Sequence, residues 1–160
     1  MHQQTLAQQS QALAKGDYSA RELTSHYLQR IEQFDSQLNS FIAVTTEQAL
    51  AQADAADAAR KSGTVTSLTG VPLGHQDVFC SQGTRTSCGS KMLDNFIAPY
   101  NAHLLEQLQL AGSVSLGKTN MDEFAMTATG QSSFYGPTSN PWDALRISGG
   151  AASGSAVAVA

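Results

Sequence analysis

The stretch Ala102-His-Leu-Leu-Glu-Gln-Leu-Gln-Leu-Ala-Gly-Ser-Val-Ser-Leu116 decides the fold class. Its first half predicts a helix over 102–110 that ends at Gly112, and its last three residues predict a strand. The leucines expected to face inward are Leu104, Leu105 and Leu108. A further strand is predicted over Val71–Val78, before this helix. Strands and helices in this order indicate an α/β layered domain.

The preceding residues, 1–62, are predicted to be mainly helical. A polar helix around 5–15 ends at Gly16, and Ser19-Ala-Arg-Glu22 fits a capping box at the start of a second helix. The apolar face predicted for that second helix consists of Leu23, Tyr27, Ile31 and Phe34. A short strand is expected over Phe41–Val44. An alanine-rich helix from Thr46 to Arg60 then predicts a surface helix with a thin apolar stripe.

Composition excludes several functional classes. The 160 residues are 41% hydrophobic and 14% charged, which is typical of one globular domain. The net charge is -4, and Lys and Arg form no cluster, so we expect no direct nucleic-acid binding. Neither a basic leader nor a long apolar run is present, so we expect no membrane span and a cytoplasmic location.

Two familiar ligand patterns are weak here. Gly112-Ser-Val-Ser-Leu-Gly-Lys-Thr119 fits the formula of a phosphate-binding loop, but a strand is predicted inside it and a helix before it. The residues able to ligate zinc match no recurrent spacing; they are His75, Cys80, Cys88 and His103. We therefore expect no nucleotide, no metal and no cofactor, and both cysteines are expected to be reduced.

Acid/base candidates are also few. Asp122 and Glu123 are adjacent, so their side chains diverge on a strand or on a helix, and they are poor candidates for a catalytic pair. Lys91 and Lys118 each stand among small residues. An isolated lysine in a polar loop is usually solvated, so we do not expect either to be a general base.

The most specific stretch is Ser148-Gly-Gly-Ala-Ala-Ser-Gly-Ser-Ala-Val-Ala-Val-Ala160, a glycine-rich loop that runs into a predicted buried helix. The glycines permit close backbone approach, and Ser153 or Ser155 could cap the helix. From residue chemistry alone, an active-site loop and a structural turn remain equally open, because Ala151 and Ala152 carry inert methyl groups. The nucleophile pattern Gly-x-Ser-x-Gly is absent.

Several motifs together decide between these alternatives. They are Leu68-Thr-Gly-Val-Pro-Leu-Gly-His-Gln-Asp77, Cys88-Gly-Ser-Lys-Met-Leu-Asp-Asn95, Leu116-Gly-Lys-Thr-Asn-Met-Asp-Glu-Phe-Ala-Met126, Ser133-Phe-Tyr-Gly-Pro137, Asn140-Pro-Trp-Asp143 and the loop Ser148–Ala160. With them the chain resembles the amidase signature family, most closely the branch formed by the A subunits of the glutamyl-tRNA(Gln) amidotransferases. The resemblance spans nearly the whole chain. It implies that the segment 112–119, which fits the phosphate-loop formula, is an ordinary strand and turn.

The resemblance implies an α/β/α domain around a mixed sheet and a Ser-Ser-Lys hydrolytic centre. The family's lysine stands in Gly-Val-Pro-x-x-x-Lys-Asp, where this chain has Gln76. Its bridging serine is the first of two in Gly-Gly-Ser-Ser-Gly-Gly-Ser, where this chain has Ala151 and Ala152. Glutamine has no basic lone pair and alanine has no hydroxyl, so the resemblance implies that no catalytic residue is intact.

Further expectations follow from the same resemblance. The active-site loop comprises Gly149, Gly150, Ala152, Ser153, Gly154 and Ser155. Substrate-pocket candidates are Met126, Thr127 and Gln131, because Thr127-Ala-Thr-Gly-Gln131 departs from the usual Gly-Ser-(Ser/Thr)-(Asn/Thr)-Glu segment. The family's nucleophile belongs to a later Gly-Gly-Ser motif, so we expect 1–160 to be a single, incomplete domain with a helical region 1–62 and a sheet and loop region 68–160.

Three functions are compatible with these departures. The first is a catalytically silent amidase-like chain. The second is a binding or regulatory module for the B and C subunits of an amidotransferase. The third is the family's own activity, hydrolysis of glutamine to supply ammonia, with Lys118 and Ser153 replacing the missing groups. The sequence favours the first.

Overall fold

The computed structural model describes residues 1–160 and has an α/β architecture, as predicted. Its helices are α1 (Leu6–Lys15), α2 (Ala20–Leu38), α3 (Thr46–Ser62), α4 (His103–Leu110) and α5 (Ser153–Val159). Its strands are β1 (Phe41–Val44), β2 (Pro72–Gln76) and β3 (Val114–Thr119), and short 3-10 turns lie at Lys91–Leu93 and Glu123–Ala125. None of the helices has the length and apolar character needed to cross a membrane.

The three strands form one mixed sheet in the order β1-β3-β2. β1 runs antiparallel to β3, with Phe41 opposite Thr119. β2 runs parallel to β3, because the Val114 amide donates to Val71 O (2.9 Å) at one end and the Asp77 amide donates to Thr119 O (3.2 Å) at the other. β2 is shorter than predicted since a turn closes at its end, and β3 is longer since Lys118 and Thr119 also pair with β1.

One compact unit comprises residues 1–32, 45–73 and 103–116. Its buried apolar side chains include Leu23, Val71, Leu105 and Val114. The stripe predicted on the alanine-rich helix is confirmed, because α3 buries only Ala49, Ala53 and Ala56. The capping box is also confirmed: the Glu22 amide donates to Ser19 Oγ (3.0 Å) and the Ser19 amide donates to Glu22 Oε2 (2.8 Å).

Two predicted apolar faces are partly wrong. Leu104 is 47% exposed, because the buried stripe of α4 is centred on Leu105, with Leu108 half-buried beside it. On α2 the predicted face is fully buried only at Leu23, and Phe34 near the other end is exposed. Helical spacing gives the direction of a face, but the neighbouring elements decide how far along the helix that face is covered.

The second compact unit comprises residues 33–44, 74–102 and 117–160. Its core is mostly polar: Met121, Val157 and Ala98 are its buried apolar side chains. The buried polar side chains are Ser40, Asp77, Ser81, Thr86, Ser87, Ser90, Lys118, Thr119, Asn120, Asp122, Thr138 and Ser153. Buried polar groups are costly unless they are hydrogen-bonded, so this unit depends on hydrogen-bond networks.

The helix after the glycine-rich loop differs from the prediction in two respects. α5 buries Ser153, Gly154 and Val157, whereas Val159 is 89% exposed, so only one side of the helix is covered. Neither serine caps it, because the N-cap residue is Ala152 and no side chain bonds the first turn. Close backbone packing at the helix start is confirmed: a Cβ on Gly154 would overlap Ser40 O and the Asn120 backbone.

Candidate active site

The candidate site is built where β2 and β3 end side by side. Side chains alternate between the two faces of a strand. Lys118 and Asp77 meet on one face. Gly74 and Thr119 share the opposite face, since a Cβ on Gly74 would lie 3.1 Å from Thr119 Cγ2. Gln76 is two residues after Gly74 in β2, so it lies on the same face as Gly74.

The first face carries a buried ion pair. Lys118 Nζ lies 3.2 Å from Asp77 Oδ1, and both side chains are 1% exposed. Nζ also donates to Phe79 O (2.5 Å) and to Thr86 Oγ1 (3.1 Å). The contact with Oδ1 is an ion pair without an aligned hydrogen bond. The expectation of a solvated Lys118 is therefore wrong, because the strand extends through this residue and turns its side chain inward.

The other oxygen of Asp77 is also engaged. Oδ2 accepts hydrogen bonds from the amide (2.9 Å) and the hydroxyl (2.5 Å) of Ser87. Burial lowers the pKa of Lys118 from its ordinary value, and the nearby Asp77 carboxylate partly opposes this shift. We term Lys118, Asp77 and His75 the charged face.

His75 completes the charged face and is held neutral there. Burial lowers its pKa to about 4, the Lys118 ammonium adds to this shift, and Asp77 opposes it. Cys88, beside the same groups, has its pKa raised by burial and by Asp77, and both cysteines are free thiols.

The opposite face holds no ionisable side chain among the residues that build it. Thr119 Oγ1 and Ser155 Oγ lie 2.7 Å apart, and one of them donates to the other. Gln76 is half-buried, and its carboxamide forms no hydrogen bond within the chain. We term Gln76, Thr119 and Ser155 the neutral face. Lys118 precedes Thr119 and points to the other side of the sheet.

The glycine-rich loop lies close to residues that follow β3. Gly149 adopts a positive φ of 79°, and the Gly150-Ala151 peptide bond is cis. The Ala151 carbonyl accepts a hydrogen bond from the Asp122 amide (3.0 Å). Ala151 and Ala152 are half-buried, and their side chains carry only methyl groups. Ser153 is 2% exposed, and its hydroxyl has no hydrogen-bond partner in the chain.

The predicted pocket residues lie in the segment 126–132. Met126 is 80% exposed, and Thr127 and Gln131 are also exposed. Thr127 Oγ1 lies 3.0 Å from Ser132 Oγ, so the segment is ordered by its own hydroxyls. Phe124 and Ala125, which precede it, have positive φ values of 49° and 57°. Backbone outliers of this kind concentrate at ligand-binding sites.

Asp122 and Glu123 diverge, as predicted. Glu123 Oε1 accepts a hydrogen bond from Ser90 Oγ (2.5 Å), whereas Asp122 is fully buried. Burial alone would raise the pKa of Asp122, but hydrogen bonds from Gly130 and Ser132 lower it to about 2. Asp122 is therefore expected to be ionised at neutral pH. Sequence reasoning missed both this role and the Lys118–Asp77 pair. The pair depends on strands far apart in sequence, and the Asp122 role depends on an irregular loop at residues 129–132 that folds back onto the carboxylate.

Comparison with known proteins establishes the class of protein. The sequence profile of the family described as Amidase matches residues 22–160, and the chain belongs to that family. Among solved structures, the peptide amidase of Stenotrophomonas maltophilia superposes with a TM-score of 0.89 at 34% identity, covering 96% of this chain and 33% of that one. A component of "an unexpected vestigial protein complex" linked to an s-triazine catabolic enzyme has a TM-score of 0.93 at 38% identity, covering 97% of this chain and 34% of that one.

Within the family, the chain is similar to the A subunit of glutamyl-tRNA(Gln) amidotransferase. The protein of that name from Alcanivorax borkumensis is 58% identical over 161 residues, which is 98% of this chain and 33% of the relative. The one from Chromohalobacter salexigens is 58% identical over 160 residues, which is 100% of this chain and 33% of the relative. The chain spans about a third of the length of these curated relatives. The resemblance deduced from the motifs is confirmed.

Proposed function

We propose that this chain is a catalytically silent member of the amidase family, derived from the glutamine-hydrolysing component of a glutamyl-tRNA(Gln) amidotransferase. The observation that carries the proposal is the neutral face. Gln76 stands in the place of the family's lysine and has a carboxamide that cannot take up a proton. Ala151 stands in the place of the bridging serine and cannot relay one.

The arrangement of the remaining groups supports the same conclusion. Hydrolysis through a serine nucleophile requires a base within hydrogen-bond reach of the hydroxyl. Lys118 is buried on the opposite face of the sheet, where Asp77, Phe79 O and Thr86 Oγ1 engage its ammonium. It is therefore badly placed to replace the missing lysine. Ser153 has no basic side chain as a hydrogen-bond partner, so its hydroxyl is not activated.

Two measurements on the purified chain test the proposal. Glutaminase turnover is measured as ammonia released from glutamine, and reactive serines are detected with a fluorophosphonate probe. We expect no turnover above buffer and no labelling, with an active peptide amidase as the positive control. Stoichiometric labelling would overturn the proposal, and the Ser153→Ala variant would then show whether Ser153 is the labelled residue.

A second function, binding of the B and C subunits of an amidotransferase, is favoured by one surface. The side chain of Asn140 closes the loop 140–147: its Oδ1 accepts hydrogen bonds from the amides of Trp142 (2.9 Å) and Asp143 (3.4 Å), and its Nδ2 donates to Ile147 O (3.1 Å). Trp142 is 82% exposed and Leu145 is 98% exposed. An ordered loop with exposed apolar side chains is typical of an interaction site.

A pull-down against the B and C subunits tests this second function. We expect capture by the folded chain and its loss in Trp142→Ser and Leu145→Ser. Tyr100→Ser serves as the matched control, since Tyr100 is an exposed aromatic residue outside the loop. A folded chain that captures neither protein would eliminate this function and leave the first proposal intact.

A further inference from the structure

Asp122 lies three residues after the end of β3 and binds the segment 127–132 through both carboxylate oxygens. Oδ2 accepts hydrogen bonds from the amides of Thr129 (3.1 Å) and Gly130 (3.0 Å). Oδ1 accepts hydrogen bonds from the amide (3.1 Å) and the hydroxyl (3.0 Å) of Ser132. Four donors thus converge on one buried carboxylate, which fixes the path of the segment that carries the pocket candidates.

The same residue also binds the glycine-rich loop. The Asp122 amide donates to the Ala151 carbonyl (3.0 Å). Gly150 packs so closely that a Cβ there would overlap Asp122 Oδ2 and would also lie 2.9 Å from the Thr129 amide nitrogen. The carboxylate is therefore enclosed between the two segments, with hydrogen-bond donors on one side and the Gly150 backbone on the other.

A carboxylate suits this position because it only accepts hydrogen bonds. An asparagine has one accepting oxygen and an NH₂ group that would face backbone N–H donors. Hydrogen bonds to a charged acceptor are stronger than those between neutral groups, especially where water is excluded.

We propose that Asp122 is a positioning residue that joins segments 127–132 and 148–151 into one unit, so that a displacement of either segment is transmitted to the other. Thr127, Gln131 and Ala151 are then held at fixed mutual positions by a residue outside both segments. The proposal concerns this geometry alone, so it is independent of whether the site hydrolyses an amide.

Residue-resolved hydrogen exchange tests this coupling in the full chain. The variant Gly150→Ala places a methyl group against the carboxylate from the loop side. We expect it to raise the exchange rates of the Gly130 and Ser132 amides by about tenfold or more, the factor for losing a hydrogen bond to a charged group. Gly149→Ala is the control for backbone strain in the loop: its φ of 79° disfavours a side chain, but a Cβ there meets nothing within 4 Å, so the variant strains the loop without touching the carboxylate. Unchanged Gly130 and Ser132 rates in Gly150→Ala would overturn the proposal.

A less disruptive variant tests transmission in the opposite direction, from segment 127–132 to segment 148–151. Ser132→Ala removes the hydroxyl hydrogen bond to Asp122 Oδ1, and with it the bond that the hydroxyl accepts from the Glu123 amide (3.1 Å) and its contact with Thr127 Oγ1 (3.0 Å). The Ser132 amide keeps its bond to Asp122, so the variant keeps the coupling testable if Gly150→Ala does not fold. We expect it to speed exchange of the Asp122 amide, whose partner Ala151 O lies in the other segment. Ser133→Ala is the control, since its hydroxyl binds only the Tyr135 amide. An unchanged Asp122 amide in Ser132→Ala would also overturn the proposal.

A double-variant cycle separates positioning from general stabilisation. If Asp122 transmits the displacement, Gly150→Ala adds nothing to the exchange of Gly130 and Ser132 in an Asp122→Asn background. If Asp122 only stabilises the fold, the effects of Gly150→Ala and Asp122→Asn on these exchange rates should add. Additive effects would therefore contradict the coupling.

Discussion

The two faces at the ends of β2 and β3 differ although they are formed by neighbouring residues. On the charged face, Lys118 and Asp77 are almost fully buried and surrounded by hydrogen-bond partners. On the neutral face, one residue away in each strand, the Gln76 carboxamide forms no hydrogen bond within the chain and the Thr119 hydroxyl bonds only a serine hydroxyl. The charged face is organised by electrostatics and the neutral face by close packing.

Because of this difference, the charged face contributes to the stability of the site, whereas the position that the resemblance assigns to the catalytic lysine lies on the neutral face. A buried ion pair is retained only where its geometry and hydrogen bonds compensate the cost of desolvation, so the charged face tolerates little change. The neutral face contains no such pair, so we expect a change of side chain at Gln76 to leave the architecture unaffected. The proposed loss of activity is therefore compatible with an unchanged family fold.

The largest effect is expected for Lys118→Met. This change leaves the Asp77 carboxylate buried without its counter-charge, and breaking a buried pair from one side costs about 3–5 kcal/mol. Urea unfolding followed by circular dichroism measures the free energy of unfolding. Lys91→Met is the control for loss of a lysine, because Lys91 is exposed and should change stability by less than about 1 kcal/mol.

The double variant Lys118→Met with Asp77→Asn sharpens this result. It removes both charges, so it should be less destabilising than Lys118→Met alone. Equal losses in the single and double variants would mean that packing of the lysine chain, and not an uncompensated carboxylate, stabilises this face.

Next to the neutral face, the corresponding prediction concerns Gly154→Ala, a change at the residue that precedes Ser155 in α5. A Cβ at this position would overlap Ser40 O and the Asn120 backbone, and these backbone atoms have little freedom to move. Overpacking of this kind costs about 1–3 kcal/mol. Thermal unfolding measures the loss. Ser155→Ala in the same helix removes only the hydrogen bond to Thr119 and should cost about 1 kcal/mol. A loss from Ser155→Ala that exceeds the loss from Gly154→Ala would show that hydroxyl bonding, and not backbone packing, organises this face.

Sequence reasoning accounts for the helices and the α/β class because their signals are local. The capping box at Ser19 and the alanine stripe of α3 lie within one or two helical turns. The Lys118–Asp77 pair could not be predicted, because it depends on parallel pairing of strands about 40 residues apart in sequence, a contact that no local pattern encodes. The Gln76 and Ala151 positions are recognisable from motif resemblance, but the separation of Lys118 from Gln76 requires the strand register.

His75 offers a pH-dependent way to test the charged face. Its pKa is lowered to about 4 by burial, with Lys118 adding to the shift, so the folded state holds the ring neutral. In the unfolded chain, the pKa of His75 is near the ordinary histidine value of about 6.5. Stability is therefore intact above about pH 6.5 and is lost as the pH falls towards 4, at up to about 1.4 kcal/mol per pH unit.

Urea unfolding between pH 7 and 4 measures this slope, and NMR of the ring protons measures the titration directly. His75→Gln should flatten the slope, whereas His103→Gln should not, because the His103 side chain is 82% exposed. A His75 ring that titrates near 6.5 would show that burial does not suppress its charge.

The smallest effect is expected for Gln76→Lys, which places a lysine on the neutral face at the position that the motif resemblance assigns to the family's lysine. No side-chain hydrogen bond within the chain is lost, so the free energy of unfolding should change by less than about 1 kcal/mol. His75→Lys, one residue earlier, is the matched variant: it sets a second ammonium beside Lys118 and should cost clearly more. Equal costs would mean that the two faces are not distinct environments. Gln76→Lys should also release no ammonia from glutamine, because Ala151 still has no hydroxyl to relay the proton.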